Sequence, residues 1–202
     1  ITGGYAEQAL APDFTTYVLP DGMTFEHAAA FQAVYQTSHF GLVTRAQLKR
    51  GETLLVLAAA GGVGLAAVQI GKALGAKVIA GVGSSDKFEI CRQNGAELAV
   101  SYRDPQWIHL LRDFTQDQGA DVIYDPVGGA YTEAALRSIA WRGRLLVVGF
   151  ANGTLPSLPA HLALLKGASI GGVFWGDYAK REPAHNASDL RTLFGWLLQG
   201  KL

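Results

Sequence analysis

The chain has 202 residues, and its 17 Lys and Arg balance 17 Asp and Glu, so its formal charge is zero. Hydrophobic residues at 49% against charged residues at 17% suit a globular chain and argue against a disordered one. The neutral balance excludes a basic nucleic-acid footprint or a polybasic membrane patch as the main business, and the single cysteine, Cys91, excludes internal disulfides and a Cys-rich zinc site.

In chain order, residues 5–10 and 16–19 read as short strands split by Pro12, and Pro20-Asp21-Gly22 reads as a turn. Residues 25–31 are Ala-rich and helical, and a second helix is expected over 36–48, stopping at Gly51. This stretch carries too little apolar content to stand alone, so it reads as the tail of a preceding domain plus a connection. Apolar runs rich in Val, Ile and Leu then recur at 53–59, 77–82, 98–102, 122–125, 144–148 and 169–175. Segments with helical spacing lie between them: Val63, Ala67, Ile70 and Leu74; then Phe88, Cys91 and Arg92; then Leu136, Ile139 and Ala140. A last helix is expected over 189–198, ending at Gly200. Near-continuous apolar strands alternating with helices predict an α/β fold, a doubly wound six-stranded parallel sheet of the Rossmann type. The longest apolar stretch, 54–60, is too short to span a bilayer, so no membrane contact is expected.

The main motif is Ala58-Ala59-Ala60-Gly61-Gly62-Val63-Gly64, placed after the strongest strand and before the most regular helix. Glycines let the chain turn tightly and let a pyrophosphate approach the unpaired N–H groups of a helix N-terminus. A Gly-Lys-Ser/Thr does not follow, which excludes a P-loop. The second strand ends in Val82-Gly83-Ser84-Ser85-Asp86-Lys87. An NAD site wants an acid at that strand end, where Val82 stands; Ser84, Ser85 and Lys87 suit a 2′-phosphate instead, so NADP(H) is the expected cofactor. Ser84 or Ser85 as a simple helix cap is the competing reading, and Asp86 weakens the positive field slightly. Asp125-Pro126-Val127-Gly128-Gly129 and Gly149-Phe150 close later strands, at positions that either line a ligand or merely start the next segment. The five histidines show no metal spacing and read as surface or packing residues.

The run from Ala59 to Ile70, preceded by Leu48-Lys49-Arg50-Gly51-Glu52-Thr53, resembles the quinone oxidoreductase (zeta-crystallin-like) branch of the medium-chain dehydrogenase/reductase superfamily. So do Gly4-Tyr5-Ala6-Glu7, Leu19-Pro20-Asp21-Gly22-Met23 and Gly172-Val173-Phe174-Trp175-Gly176. The resemblance covers essentially the whole chain, whose opening has neither an initiator Met nor a signal pattern. It implies an excerpt lacking most of a GroES-like catalytic domain and a short C-terminal piece. Residues 1–32 would then be a remnant of that domain and 33–202 the NADP(H)-binding Rossmann domain. The resemblance further implies that Thr37 and Phe40 lie beside the nicotinamide and that Gly62 and Val63, with Gly61 and Gly64, form the pyrophosphate turn. Gly83, Ser84 and Lys87 would form the 2′-phosphate pocket, Tyr102 the adenosine end, and Phe150, Val173 and Phe174 the nicotinamide side. Two departures stand out: Pro126 replaces a usual Ser or Thr, and Ser101 a usual Asn.

Zinc-dependent relatives carry a ligand Cys four residues before the threonine matching Thr37, where this chain has Ala33. The resemblance therefore implies no metal site and a zinc-independent, cytoplasmic enzyme that reduces a quinone or an enone, its catalytic residues unidentified. It also implies a homodimer through edge strand 168–175. None of the seven tyrosines has Lys four residues on, which excludes a short-chain dehydrogenase. The open alternatives are a non-catalytic NADPH sensor or partner-binding module, and the enoyl reductase unit of a larger synthase. Nucleic acid is not expected as a partner.

Overall fold

In the computed structural model, which describes residues 4–202 and every side chain among them except that of Phe14, helix α1 (Phe25–His39) comes first. The opening Ile1-Thr2-Gly3, and with it the start of segment 1–32, lies outside the described residues. Thr24 caps α1, its Oγ1 accepting the His27 N–H at 3.3 Å. With no breaker before it, the helix runs on into a π-helical turn, Phe40–Arg45. The two helices expected at 25–31 and 36–48 are therefore one continuous element. Neither expected strand forms at 5–10 or 16–19. A strand needs a partner as well as a suitable sequence; Tyr5, Leu10 and Val18 are exposed, and no neighbouring strand pairs with them among the described residues. Their place is taken by a short 3₁₀ turn, Asp13–Thr15, whose Thr15 hydroxyl donates to the Pro12 carbonyl.

Strands and helices then alternate: β1 (Thr53–Leu57), α2 (Gly62–Ala73), β2 (Lys77–Val82), α3 (Phe88–Gln93), β3 (Leu98–Ser101), α4 (Trp107–Thr115), β4 (Ala120–Asp125), α5 (Ala130–Arg137), β5 (Ile139–Val147), α6 (Ala160–Lys166), β6 (Ser169–Gly172), α7 (Trp175–Arg181) and α8 (Pro183–Leu198). Among the described residues the strands form one six-stranded sheet in the order β3-β2-β1-β4-β5-β6, with parallel pairings throughout. Leu54 and Val56 face one layer of helices with Val68, Ile70 and Val78. Leu55 and Leu57 face the other with Ile79, Ile123, Leu136 and Leu145. Burial on both faces explains why these strands read as unbroken apolar runs. The chain reverses its direction of winding at β1, between β2 and β4, so a crevice opens at the C-terminal ends of these strands.

Three boundaries differ from expectation. Ile139 and Ala140 belong to β5 rather than to a helical stripe: α5 ends at Ser138, whose hydroxyl donates to the Ala135 carbonyl, and Ile139 pairs with Ala120. Strand β6 stops at Gly172, so Trp175 starts α7 and Val173 is buried, not exposed on the sheet edge. Helix α8 begins at Pro183, with proline in the first turn where its missing N–H costs nothing.

Candidate functional site

The turn after β1 is built for close approach. Ala58 adopts φ +49°, and its carbonyl accepts the Gly61 N–H at 2.8 Å. A Cβ at Gly64 would lie 2.1 Å from the Ala58 oxygen and 2.9 Å from the Ala59 Cα, both backbone atoms, so only glycine closes this turn. At Gly61 a Cβ would meet only the Ala58 oxygen, at 3.3 Å, and the outer side of the turn is open. The N–H groups at the start of α2, at Gly62, Val63 and Gly64, face no earlier turn of helix and are free to receive an anion.

Beside this turn lies a groove of about 310 Å³. Ala58 and Gly61 form one wall; Gly83, Ser84 and Lys87 come from the end of β2, and Tyr102 and Arg103 from the end of β3. Strand pairing sets the last two: the Tyr102 N–H donates to the Val82 carbonyl at 3.0 Å. A Cβ at Gly83 would come within 3.3 Å of the Tyr102 hydroxyl, so glycine there lets the ring lie over the strand end. Burial raises the Tyr102 phenol above its usual value, which keeps it a neutral donor. Its ring sits 4.6 Å from that of Tyr131, and an adjoining recess of about 190 Å³ continues past Val127 and Asn152. Ser84 precedes the 3₁₀ turn Ser85–Lys87 without a capping hydrogen bond from its side chain, which disfavours the cap reading for that residue. Asp86 is exposed and does not line the groove.

The loop after β4 is rigid. The buried Asp125 carboxylate accepts the Val127 N–H at 2.7 Å, the Gly128 N–H at 3.1 Å and the Thr132 hydroxyl. Pro126 contributes no donor, but its carbonyl takes the Ala151 N–H at 3.0 Å.

The structure thus gathers Gly61, Gly83, Ser84, Lys87 and Tyr102 in one groove, with Gly62, Val63 and Gly64 at its rim. The remaining expected residues do not line that groove. Thr37 donates its hydroxyl to the Ala33 carbonyl at 2.6 Å. Phe40 is buried, stacked 4.1 Å from the Tyr178 ring, and Val173 packs beside Gly41. Phe150 and Phe174 are open, at 44% and 75% exposure. The Ser38 hydroxyl joins the two halves by donating to the Val63 carbonyl at 2.8 Å, so the buried Tyr124 must donate to Ser38 at 2.9 Å. Sequence reasoning passed over Arg103, Tyr131, Ser38 and Tyr124. Arg103 was findable, as a cation directly after Tyr102 at a strand end; the positive φ of Ala58 leaves no trace in residue type. Among the described residues no three His, Cys, Asp or Glu side chains cluster as metal ligands would, and no helix is long and apolar enough to cross a membrane.

Residues 62–191 match the family model described as zinc-binding dehydrogenase. A protein of Nematostella vectensis named quinone oxidoreductase-like protein 2 homolog is 35% identical over 99% of the chain and 55% of its own length. The human protein named quinone oxidoreductase is 36% identical over 98% of the chain and 60% of its own length. A solved mycobacterial structure described as complexed with NADPH superposes with a TM-score of 0.89 at 29% identity, covering 95% of the chain and 59% of that structure. The chain spans 55–60% of the length of these two curated relatives.

Proposed function

The chain belongs to the zinc-binding dehydrogenase family, among relatives named quinone oxidoreductases, and from that premise we propose that it is the NADP(H)-binding part of a zinc-independent oxidoreductase that reduces a quinone or an α,β-unsaturated carbonyl. The observation that carries the cofactor reading is the groove at the end of β2. Ser84, Lys87 and Arg103 converge there and no carboxylate lines it. Two cations and a hydroxyl match a 2′-phosphate through charge-assisted hydrogen bonds, whereas a free ribose hydroxyl would call for an acid. The open Gly61–Gly62 turn and the start of α2 would hold the pyrophosphate, and Tyr102 and Tyr131 would flank the adenosine. Phe150 and Phe174, exposed on loops at the strand ends, would border the nicotinamide.

When bound, the nicotinamide supplies a hydride. The residues of this chain bind and orient, and the buried Ser38–Tyr124 pair fixes α1 against α2 so that both halves of the crevice keep their spacing. Ala33 cannot ligate a metal, and its carbonyl already holds the Thr37 hydroxyl. Without a Lewis acid, an acceptor whose own conjugation stabilises the developing charge is the fitting substrate. The test is hydride transfer by the whole protein to a quinone and to an enone, followed as loss of reduced-nicotinamide absorbance. Turnover with NADPH that survives metal chelation is expected; activity that requires stoichiometric zinc would overturn the zinc-independent reading.

A further inference from the structure

At the opposite end of the strands, the N-terminal ends of β1, β4 and β5 border an open polar groove of about 530 Å³. Arg45, Lys49, Arg142 and Arg144 line it, against Glu52 and Asp121. Four cations against two carboxylates leave a local excess of positive charge in a chain whose formal charge is zero. The carboxylates are also engaged. Glu52 takes two hydrogen bonds from Arg144, at 3.0 and 2.7 Å, and Asp121 takes the Thr53 N–H at 2.8 Å. Arg144 is further held by the Ala46 carbonyl, and Arg45 is turned toward the end of β6, its Nε donating to the Gly172 carbonyl at 3.1 Å.

The Arg142 side chain makes no hydrogen bond or ion pair among the described residues, and its φ is +61°. It sits at the irregularity where the pairing of β4 with β5 slips between Ala120 and Val122. A left-handed residue with a Cβ is strained, and glycine would relieve that strain. Next to Arg142 stands Trp141, 69% exposed and lining the same groove. A strained, unpaired guanidinium and an open indole, set over a groove with surplus positive charge, are the parts of a ligand site.

We propose that this groove is a second binding site, for a small phosphate monoester bearing a flat ring: the phosphate is received by Arg142 and Lys49, and the ring lies against Trp141. It is separate from the cofactor groove. Glu52 precedes β1 and Ala58 follows it, so six residue steps of about 3.3 Å set the two sites about 20 Å apart. The proposal does not depend on the cofactor reading.

The test is calorimetric titration of the chain with phenyl phosphate, alongside its tryptophan emission. Saturable binding is expected, with an emission change that Trp141→Phe removes. Arg142→Gly is the informative variant, because it deletes the cation while relaxing the backbone. It should weaken binding at least tenfold with the melting temperature unchanged or raised, so that loss of fold cannot explain the result. Lys87→Ala, at the far end of the sheet, should leave the affinity unchanged. No saturable binding, or binding lost with Lys87→Ala and kept with Arg142→Gly, would overturn the proposal; the second result would put the anion in the cofactor groove.

Discussion

Gly64 shows how a single position decides the site. Its missing Cβ is what allows the carbonyl of Ala58 to fold back over the start of α2, and everything that would collide with a side chain there is backbone. A flexible neighbour could yield by a few tenths of an ångström, but two peptide units cannot without opening the turn. Gly64→Ala is therefore expected to cost on the order of 1–3 kcal/mol, toward the upper end, and to abolish nucleotide binding together with the loss in stability. Thermal unfolding and a nucleotide titration of the same variant check both halves; a stable variant that binds normally would contradict this view of the turn. Arg103 makes the complementary point. It reaches the groove from a different strand than Lys87 does, and only the β2–β3 pairing shows that the two cations share one space.

Elements were legible in the sequence where burial is symmetrical and obscure where it is not. Strands β1, β2 and β4 are covered on both sides, so their apolar runs mark them within two residues. Helix α5 and strand β5 meet at one residue, Ser138, and a stripe of Leu136, Ile139 and Ala140 fits either periodicity until the Ala120–Ile139 pairing is seen. Residues 5–10 and 16–19 read as short strands, yet nothing in a local pattern says whether a partner strand exists. The groove was half legible: glycines, Ser84 and Lys87 announce themselves by type and spacing, whereas Ala58 and Tyr131 act through conformation and long-range position.

The junction of β1 with β5 carries a pH-dependent contribution. Burial pushes the Glu52 carboxyl up, but hydrogen bonds from Arg144 and from the Lys49 N–H, with the nearby positive charges, outweigh it and hold it below its usual value. A carboxyl lowered by folding adds stability above the unfolded value of 4.5, and that stability is lost as pH falls through the folded value. Glu52→Gln should thus be less stable than the parent at neutral pH, with the gap closing in acid. Denaturant midpoints measured from pH 7 down to about pH 3 test it; a constant gap would mean that the ionised carboxylate is not the source.

In the molecule as a whole, strand β6 has an unpaired side among the described residues. Ile170 at 42% exposure, with Leu164 and Leu165 at 80% and 67%, lies along or near that edge. An open apolar edge is an association liability, and strand pairing across a two-fold axis would remove it. We therefore expect a dimer through this edge, with Ile170→Lys shifting it to monomer in sedimentation equilibrium; a wild-type chain that stays monomeric at high concentration would contradict the expectation. The opposite end of the sheet's architecture points the other way, toward small ligands, because β1 divides the winding and opens the crevice at the strand C-termini.

If the end of β2 is a 2′-phosphate site, the chain must tell NADPH from NADH in parallel calorimetric titrations. NADPH should bind at least tenfold more tightly, consistent with loss of one charge-assisted contact being worth about 1.5–3 kcal/mol. Lys87→Ala should erase most of that preference while leaving NADH binding unchanged. Equal affinity for the two nucleotides, or a preference untouched by Lys87→Ala, would contradict the claim.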